Sequence, residues 1–589
     1  MNGHLYNSFK EACSALGLLQ DDGEWLRCLQ DAAIFKTGFQ LCRLFVIILV
    51  HCSPVDPNRL WEQCKDHLCD DLQHHLQNPQ HPQHLPHPTQ EQIYDYGLYH
   101  IAEALQRCGK RIQDFDIPRP QMNWGVHGGN QLINEQLALN TPQLQEFVQR
   151  GQTTLNMEQR NFYQAVLASV TNGDGSTFFL QSGGGCGKTY VSNLIASTIR
   201  SRGQIVLCVA STGIASLLLP GGHTAHSHFK IPIPCHEQSV CNIKKDDLTH
   251  QLIKRASLII WDEAASQHHY VVESVDCTLR DLMNLDRPFG GITTMFSGDF
   301  RQTLPVIQHG TRAQIVPAAL THSYLWAQMR VHHLNQNMRL GQDPESDQWA
   351  QQLLHIGCTD GEVELPQHMH CGDSIASLMD AMYSNLLALH PHQHLPDHYF
   401  LDRTILSPRN AEVHEINSTI LEAIQLQDKV TYTSADSVTD GEYEYIQPEI
   451  LHTLSPSGFP LHKLELKNGA PLMLLRNLDP IHGLYNGTRL RLIRSTSRIL
   501  ECRVLKEGGD GDMVFIPRIS LDSGLEDSPI PFHRLQFPVH LAYAMTINKS
   551  QGQSVRNVGI DLCSSVFFPW STLCCSLMLY SSQKDQGCI

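Results

Sequence analysis

A chain of 589 residues is longer than one hydrophobic core supports, so roughly two to four domains are expected. With 41% hydrophobic and 17% charged residues it suits a soluble globular protein. Its formal net charge of −16 excludes a surface that grips nucleic acid all over, though not a local basic groove. The apolar run Leu44 to Val50 is too short to cross a bilayer and no secretory leader pattern opens the chain, so the 19 cysteines are expected to be reduced, inside a cell.

Residues 1–72 are predicted to form a helical accessory region. Trp25, Cys28, Leu29 and Ala32 recur at helical spacing, and LCRLFVIILVHC reads as a buried helix before Pro54 and Pro57. Cys64, His67 and Cys69 read as surface positions of a helix, because no CxxC pair supports a zinc site. Residues 73–92 are dominated by Pro, Gln and His, the composition of a linker. A helical connector is expected over 93–153.

From Leu155 onward strands and helices alternate, the pattern of a parallel sheet covered on both faces. LNMEQRNFYQAVLASV predicts an amphipathic helix ending before Asn172-Gly173. The stretch TFFLQSGGGCGKTY, Thr177 to Tyr190, then reads as a buried strand, a glycine-rich turn and the start of a helix. The backbone amides of Gly183, Gly184, Gly185, Cys186 and Gly187 can face an anion there. Lys188 is expected to reach β- and γ-phosphates, and the Thr189 hydroxyl to ligate Mg²⁺. The first glycine of the usual phosphate-loop pattern is replaced by Ser182.

Further strand ends carry polar groups. IVLCVA ends in Ser211, Thr212 and Gly213, and the following loop offers Thr224, His226, Ser227 and Lys230 to phosphates. LIIWDEA delivers two adjacent acids, Asp262 to hold Mg²⁺ and Glu263 to polarise a water. MFSGDFRQTLPVI brings Gln302, suited to orient that water or sense the γ-phosphate. Arg339 is a candidate finger reaching the phosphates from a neighbouring domain.

In order, LNMEQR, SGGGCGKT, ASTGIA, LIIWDEA, GDFRQTLPVI, NMRL and TINKSQGQ resemble the motifs of the Pif-type superfamily 1 DNA helicases. More narrowly, the chain is similar to the helicase part of a Helitron transposon protein up to about residue 567. The resemblance implies an α/β fold with two RecA-like P-loop domains, a small inserted β-barrel-like domain and the helical N-terminal region. The first RecA-like domain is expected at 154–325, the second at 326–444 and 536–566, and the insertion at 445–535. The implied activity is ATP-dependent 5′-to-3′ movement on single-stranded DNA, linked to DNA repair, recombination or telomere and transposon maintenance, in the nucleus if the source is eukaryotic. The resemblance also implies adenine recognition by Gln159. It places Thr212, Phe229, Thr546, Lys549, Ser550 and Gln551 in motifs that touch the DNA strand or couple it to ATP.

The tail departs from the family. After Phe567 the family reads close to FSHGQLYVALSR, where this chain has FPWSTLCCSL. Codons for the latter can be written so that regrouping from the second base yields SHGQLYVALS, so residues 567–589 are expected to be a frame-shifted last motif that has lost its arginine. His228, Leu535 and His540 also stand where such helicases carry arginine. Single base changes that turn Arg codons into His codons would help explain 34 His against only 43 Lys plus Arg. Neutral His is a poor phosphate partner. The alternative function is therefore a decayed transposon-derived remnant that binds nucleotide or DNA without productive unwinding.

Overall fold

The computed structural model describes residues 22–562 except 35–37, 82, 125–129, 246, 303, 308–309, 339–366, 389–394, 425–428, 440–445, 507–508, 510, 525–527 and 554. Arg339 and the aberrant tail at 567–589 lie outside the described residues. The chain divides into two units. One joins Met1–Gly128, Tyr383–Leu401 and Val413–Ala544; the other joins Gly129–Met382, Asp402–Glu412 and Met545–Ile589.

The first unit begins with the helices Asp22–Ala33, Gly38–Cys52 and Pro57–Leu68. Gly38–Cys52 is apolar on every face, and every residue from Leu44 to Leu49 is buried. Such a helix needs partners all round. It packs against the neighbouring helices and the strands Met513–Pro517 and Ile519–Ser523. Polar bonds fix the same seam: Arg43 Nε donates to Asp479 Oδ2 at 2.8 Å, and Gln40 Nε2 to the Met513 carbonyl at 3.4 Å. No described helix is long and apolar enough to cross a membrane.

Residues 73–92 are not an extended linker. Leu72–Gln77 is a short helix whose Leu72 and Leu76 are buried, and Leu85 N donates to Leu76 O at 2.8 Å. Two leucines spaced for one helix face suffice to anchor a polar segment. Thr89 then caps the helix Gln90–Arg107 through a reciprocal bond pair with Gln92. Cys64 and Cys69, expected on the surface, are buried in this helical packing. The cysteines among the described residues are all free thiols.

The rest of this unit is antiparallel β-structure. Five strands run in the order Met513–Pro517, Ile499–Val504, Arg489–Ser495, Pro471–Leu474, Val539–Leu541. Smaller sheets pair Lys463–Leu466 with Val430–Thr433, and Ile519–Ser523 with Phe532–Gln536 and Ala435–Val438. The β-region therefore reaches beyond the expected limits of 445–535, because edge strands from both sides complete its sheets. Within it the fully buried Arg534 grips Asp436 with Nη2 2.7 Å from Oδ2.

The second unit carries the expected α/β architecture. Its strands are β1 (Thr177–Ser182), β2 (Ile205–Ala210), β3 (His223–Thr224), β4 (Ala256–Asp262), β5 (Thr293–Gly298) and β6 (Met329–Leu334). All pair in parallel, in the order β3-β2-β4-β5-β1-β6. Alternate side chains enter opposite cores. Phe178 and Leu180 pack with Phe162, Leu194 and Ile195 on one face, while Phe179 packs with Trp261, Phe296 and Val272 on the other. Because β6 pairs with β1 along Thr177 to Ser182, the sheet extends past the expected boundary at 325. The parallel strands Arg403–Ser407 and Asn557–Ile560, expected in a separate second domain, cluster with this unit. The chain after residue 545 also runs close to the helix Gly213–Leu217, since a Cβ at Gly552 would lie 3.5 Å from Ile214.

Candidate functional site

The phosphate loop forms as the sequence predicts. The helix Met157–Asn172 starts with a capping box between Asn156 and Gln159 and stops at left-handed Gly173. β1 ends at Ser182, and the helix Lys188–Ser201 begins at once after Gly187. Gly185 and Gly187 take φ of 82° and 86°, a region open to glycine at no steric cost. Ser182 does not take a left-handed φ; it is the buried last residue of the strand, where serine fits without strain. The departure from the loop pattern therefore falls where no glycine is required.

Lys188 is buried and donates from Nζ to the carbonyls of Ser182 at 2.8 Å and Gly183 at 3.3 Å. Gln159 is buried beside the loop and donates from Nε2 to the Cys186 carbonyl at 3.1 Å. Asn337 and Met338 lie on the loop from β6: Met338 N donates to Gly185 O at 2.9 Å, and Asn337 Nδ2 to Gly184 O at 3.4 Å. Among the described residues the half-buried Thr189 hydroxyl makes no hydrogen bond.

Strand register puts the acids on the same edge. Ala210 aligns with Asp262, Gln181 with Gly298, and Ser182 with Leu334, so β1, β2, β4, β5 and β6 all finish together. Ligands of such sheets bind beyond the carboxyl ends of the strands. Asp262 Oδ1 accepts from Ser297 Oγ at 2.6 Å and from Glu263 N at 3.0 Å. Glu263 sits at φ 53°, a conformation costing on the order of 1–3 kcal/mol for a residue with a Cβ. Its carbonyl is held there by Ser211 Oγ at 2.7 Å and Ser266 Oγ at 2.9 Å. Burial first, then the charges of Asp262 and Asp299, push the Glu263 carboxyl up to about 7; Lys188 opposes this.

Gln302 and Gln551 complete the cluster. Gln551 Nε2 donates to Glu263 Oε2 at 3.5 Å and to Gln302 Oε1 at 3.4 Å. Gln551 was expected in a motif that touches DNA or couples it to ATP, and its amide lies on the carboxylate and on Gln302. Asp299 is 1% exposed; among the described residues its Oδ2 has no partner, and its Oδ1 accepts from the Arg301 backbone at 3.1 Å and from Arg301 Nε at 3.0 Å. Asp299 stands at the end of the apolar strand as the sequence predicts; Arg301, in the same GDFRQ stretch as Gln302, carries no sequence signal of its own.

The other expected DNA-facing residues scatter in exposure. Thr212 is exposed and caps the helix Gly213–Leu217 through a bond from Ala215 N. Thr546 and Lys549 are half-buried on either end of the short helix Ile547–Ser550. Ser550 is fully buried, its Oγ donating to Ile547 O at 2.6 Å. Phe229 is also fully buried, stacked 6.0 Å from Trp261 in the core. Neither side chain offers exposed surface to a strand, so within these motifs Phe229 and Ser550 act by supporting the surrounding loops. Behind Phe229, half-buried His228 stacks 5.5 Å from His223, and its buried Nε2 has no partner among the described residues. Burial drives the His228 ring down to about 3, which keeps it neutral.

Residues 154–367 match the family model described as PIF1-like helicase, and residues 449–494 match that of the DNA helicase Pif1 2B domain. The chain is 25% identical over 439 residues to the ATP-dependent DNA helicase Pif1 of Psychrobacter sp. (strain PRwf-1), covering 66% of this chain and 62% of that protein. It is 25% identical over 418 residues to the human ATP-dependent DNA helicase PIF1, covering 68% of this chain and 56% of that one. The chain thus spans less than two thirds of either relative. Among solved structures it resembles Bacteroides Pif1 bound to ssDNA, with a TM-score of 0.51 and 22% identity over 73% of this chain and 90% of that one. It also resembles Pif1 helicase from Candida albicans, with a TM-score of 0.50 and 23% identity over 72% and 93%. Those two likenesses show the shared RecA-like fold. The likeness to PIF1-like helicases is thus carried by residues 154–367 and 449–494.

Proposed function

We propose that this chain is an ATP-hydrolysing DNA helicase that moves 5′ to 3′ on single-stranded DNA, and that it derives from the helicase part of a Helitron transposon protein. The observation that carries the reading is the convergence of Lys188, Asp262, Glu263, Gln302 and Gln551 on one edge of one sheet. The glycine loop and the Lys188 ammonium suit a triphosphate, and Gln159 beside Cys186 suits adenine. Thr189 and Asp262 supply hard oxygen donors, the set Mg²⁺ prefers. When bound, Mg²⁺ would neutralise phosphate charge and hold the terminal group for attack.

Glu263, with its carboxyl raised toward neutrality, is the group suited to draw a proton from a water. Gln551 lies in the segment after residue 545 and touches both Glu263 and Gln302. That bond joins the water-positioning groups to the TINKSQGQ motif, the route by which a DNA contact would feel the state of the nucleotide. The likeness to ATP-dependent DNA helicases of Psychrobacter and human supports the same activity. A role in DNA repair, recombination or telomere and transposon maintenance, and a nuclear place in a eukaryote, follow from this reading.

One observation favours the second reading, a remnant that binds without unwinding: the FPWSTLCCSL tail stands where the family's last arginine-bearing motif belongs. Two assays decide. Single-stranded DNA should stimulate ATP hydrolysis, and Lys188→Ala should abolish it. Unwinding of a duplex with a 5′ tail, compared with a 3′ tail, then separates motor from remnant. Weak ATPase with little or no unwinding supports the remnant; robust strand displacement from the 5′ tail removes the decay reading, and the absence of any ATPase removes the motor.

A further inference from the structure

Arg301 follows β5, the strand lying between β4 and β1 in the sheet. The buried Asp299 fixes it with a single oxygen, Oδ1, which accepts from both the Arg301 backbone N at 3.1 Å and the side-chain Nε at 3.0 Å. Holding these two nitrogens on one carboxylate sets the direction of the guanidinium. That group rests on the phosphate loop: a Cβ built on Gly183 would lie 3.0 Å from Arg301 Nη2. The guanidinium therefore lies close against the loop backbone at Gly183. Among the described residues, neither terminal nitrogen of Arg301 donates a hydrogen bond, and the side chain keeps 30% of its surface exposed. Lys188 meets the same glycine through Nζ, at 3.3 Å from its carbonyl.

We propose that Arg301 is a phosphate-contacting residue, set to bind the terminal phosphate of a nucleoside triphosphate from the same sheet that carries the loop. The proposal rests on the nucleotide reading above. A guanidinium whose Nε is engaged presents its two outer nitrogens as a fork, which matches two non-bridging oxygens of one phosphate. Gly183 opens the loop, whose later amides wrap the inner phosphates. The end where the Lys188 and Arg301 heads meet is the end that the outermost group occupies. The charges agree: Asp262, Glu263 and Asp299 crowd this edge, and a second fixed cation beside Lys188 offsets part of their repulsion of a triphosphate. Gln302, the expected sensor of that phosphate, is the next residue in the chain.

The test compares equilibrium affinities for a non-hydrolysable ATP analogue and for ADP, each displacing a fluorescent ADP, in the full chain. Arg301→Gln should weaken the triphosphate about tenfold, the size of one lost charged hydrogen bond, and leave ADP within about twofold. Arg301→Lys should fall between, since an ammonium cannot hold Asp299 and a phosphate together. Lys188→Ala is the control for the underlying reading and should weaken both ligands. If Lys188→Ala weakens binding and Arg301→Gln leaves the ratio of the two affinities unchanged, the role of Arg301 is overturned while the nucleotide site stands. If Lys188→Ala changes neither affinity, the nucleotide reading itself fails. Thermal melting monitors folding, and should Arg301→Gln not fold, the ratio measured for Arg301→Lys decides.

Discussion

Gln551 reaches back across more than 280 residues of sequence to Glu263, its amide 3.5 Å from the carboxylate oxygen. The same amide is 3.4 Å from Gln302 Oε1, so one side chain touches both the expected base and the expected sensor. A contact of this length is weak as a bond but strict as a position. Its loss should disturb the alignment of a water more than the binding of a nucleotide. Gln551→Ala is expected to lower kcat for ATP hydrolysis about tenfold, near 1.4 kcal/mol, with the affinity for nucleotide little changed. Steady-state kinetics alongside equilibrium binding check this, and an equal loss in both would contradict it.

Glu263 carries a cost at neutral pH. Burial and two neighbouring acids raise its carboxyl to about 7 in the fold, above its ordinary value of 4.5. The folded protein therefore holds this proton more tightly than the unfolded chain does. The associated stability is fully present below about pH 4.5 and is lost as pH rises through about 7. Glu263→Gln, which imitates the protonated acid, should raise the melting temperature at pH 8 and make little difference at pH 4.5. The measurement is made with chelator and without nucleotide, so that no added cation masks the repulsion.

Ser182 stands where the phosphate-loop pattern has glycine, yet its backbone is not left-handed. Restoring glycine removes nothing the loop needs and adds chain freedom at the end of a buried strand. Ser182→Gly should leave nucleotide affinity within about twofold and cost roughly 0.5–1 kcal/mol of stability. A large gain in affinity would show that serine, not the rest of the site, limits this copy.

Phe229 belongs to the core. It is fully buried and stacks with Trp261 among the residues that fill one face of the sheet. Phe229→Ala should therefore destabilise the unit by about 3–5 kcal/mol, and DNA affinity should fall only as folded protein is lost. Denaturant melts and binding to a single-stranded oligonucleotide, measured on the same preparations, separate the two effects.

Local patterning determined much of this protein. The Asn156–Gln159 box, the glycines at 173, 185 and 187, and the apolar strands ending in Ser182, Asp262 and Gly298 each act within a few residues, so their forms can be read from the chain alone. The same locality makes the phosphate loop and the paired acids legible in the chain alone. What the tertiary structure decided depends on distant partners. Whether Phe229 faces DNA or the core depends on Trp261, and the fate of the 73–92 segment on the packing of Leu76. Gln551 meets Glu263 only because the chain after residue 545 returns to the first sheet. Arg301 becomes visible as a phosphate-loop residue only when β5 lies between β4 and β1 and brings its guanidinium onto Gly183. Side chains from different strands share a site through sheet order and register, and those are set by how the two faces of the sheet bury their apolar residues together.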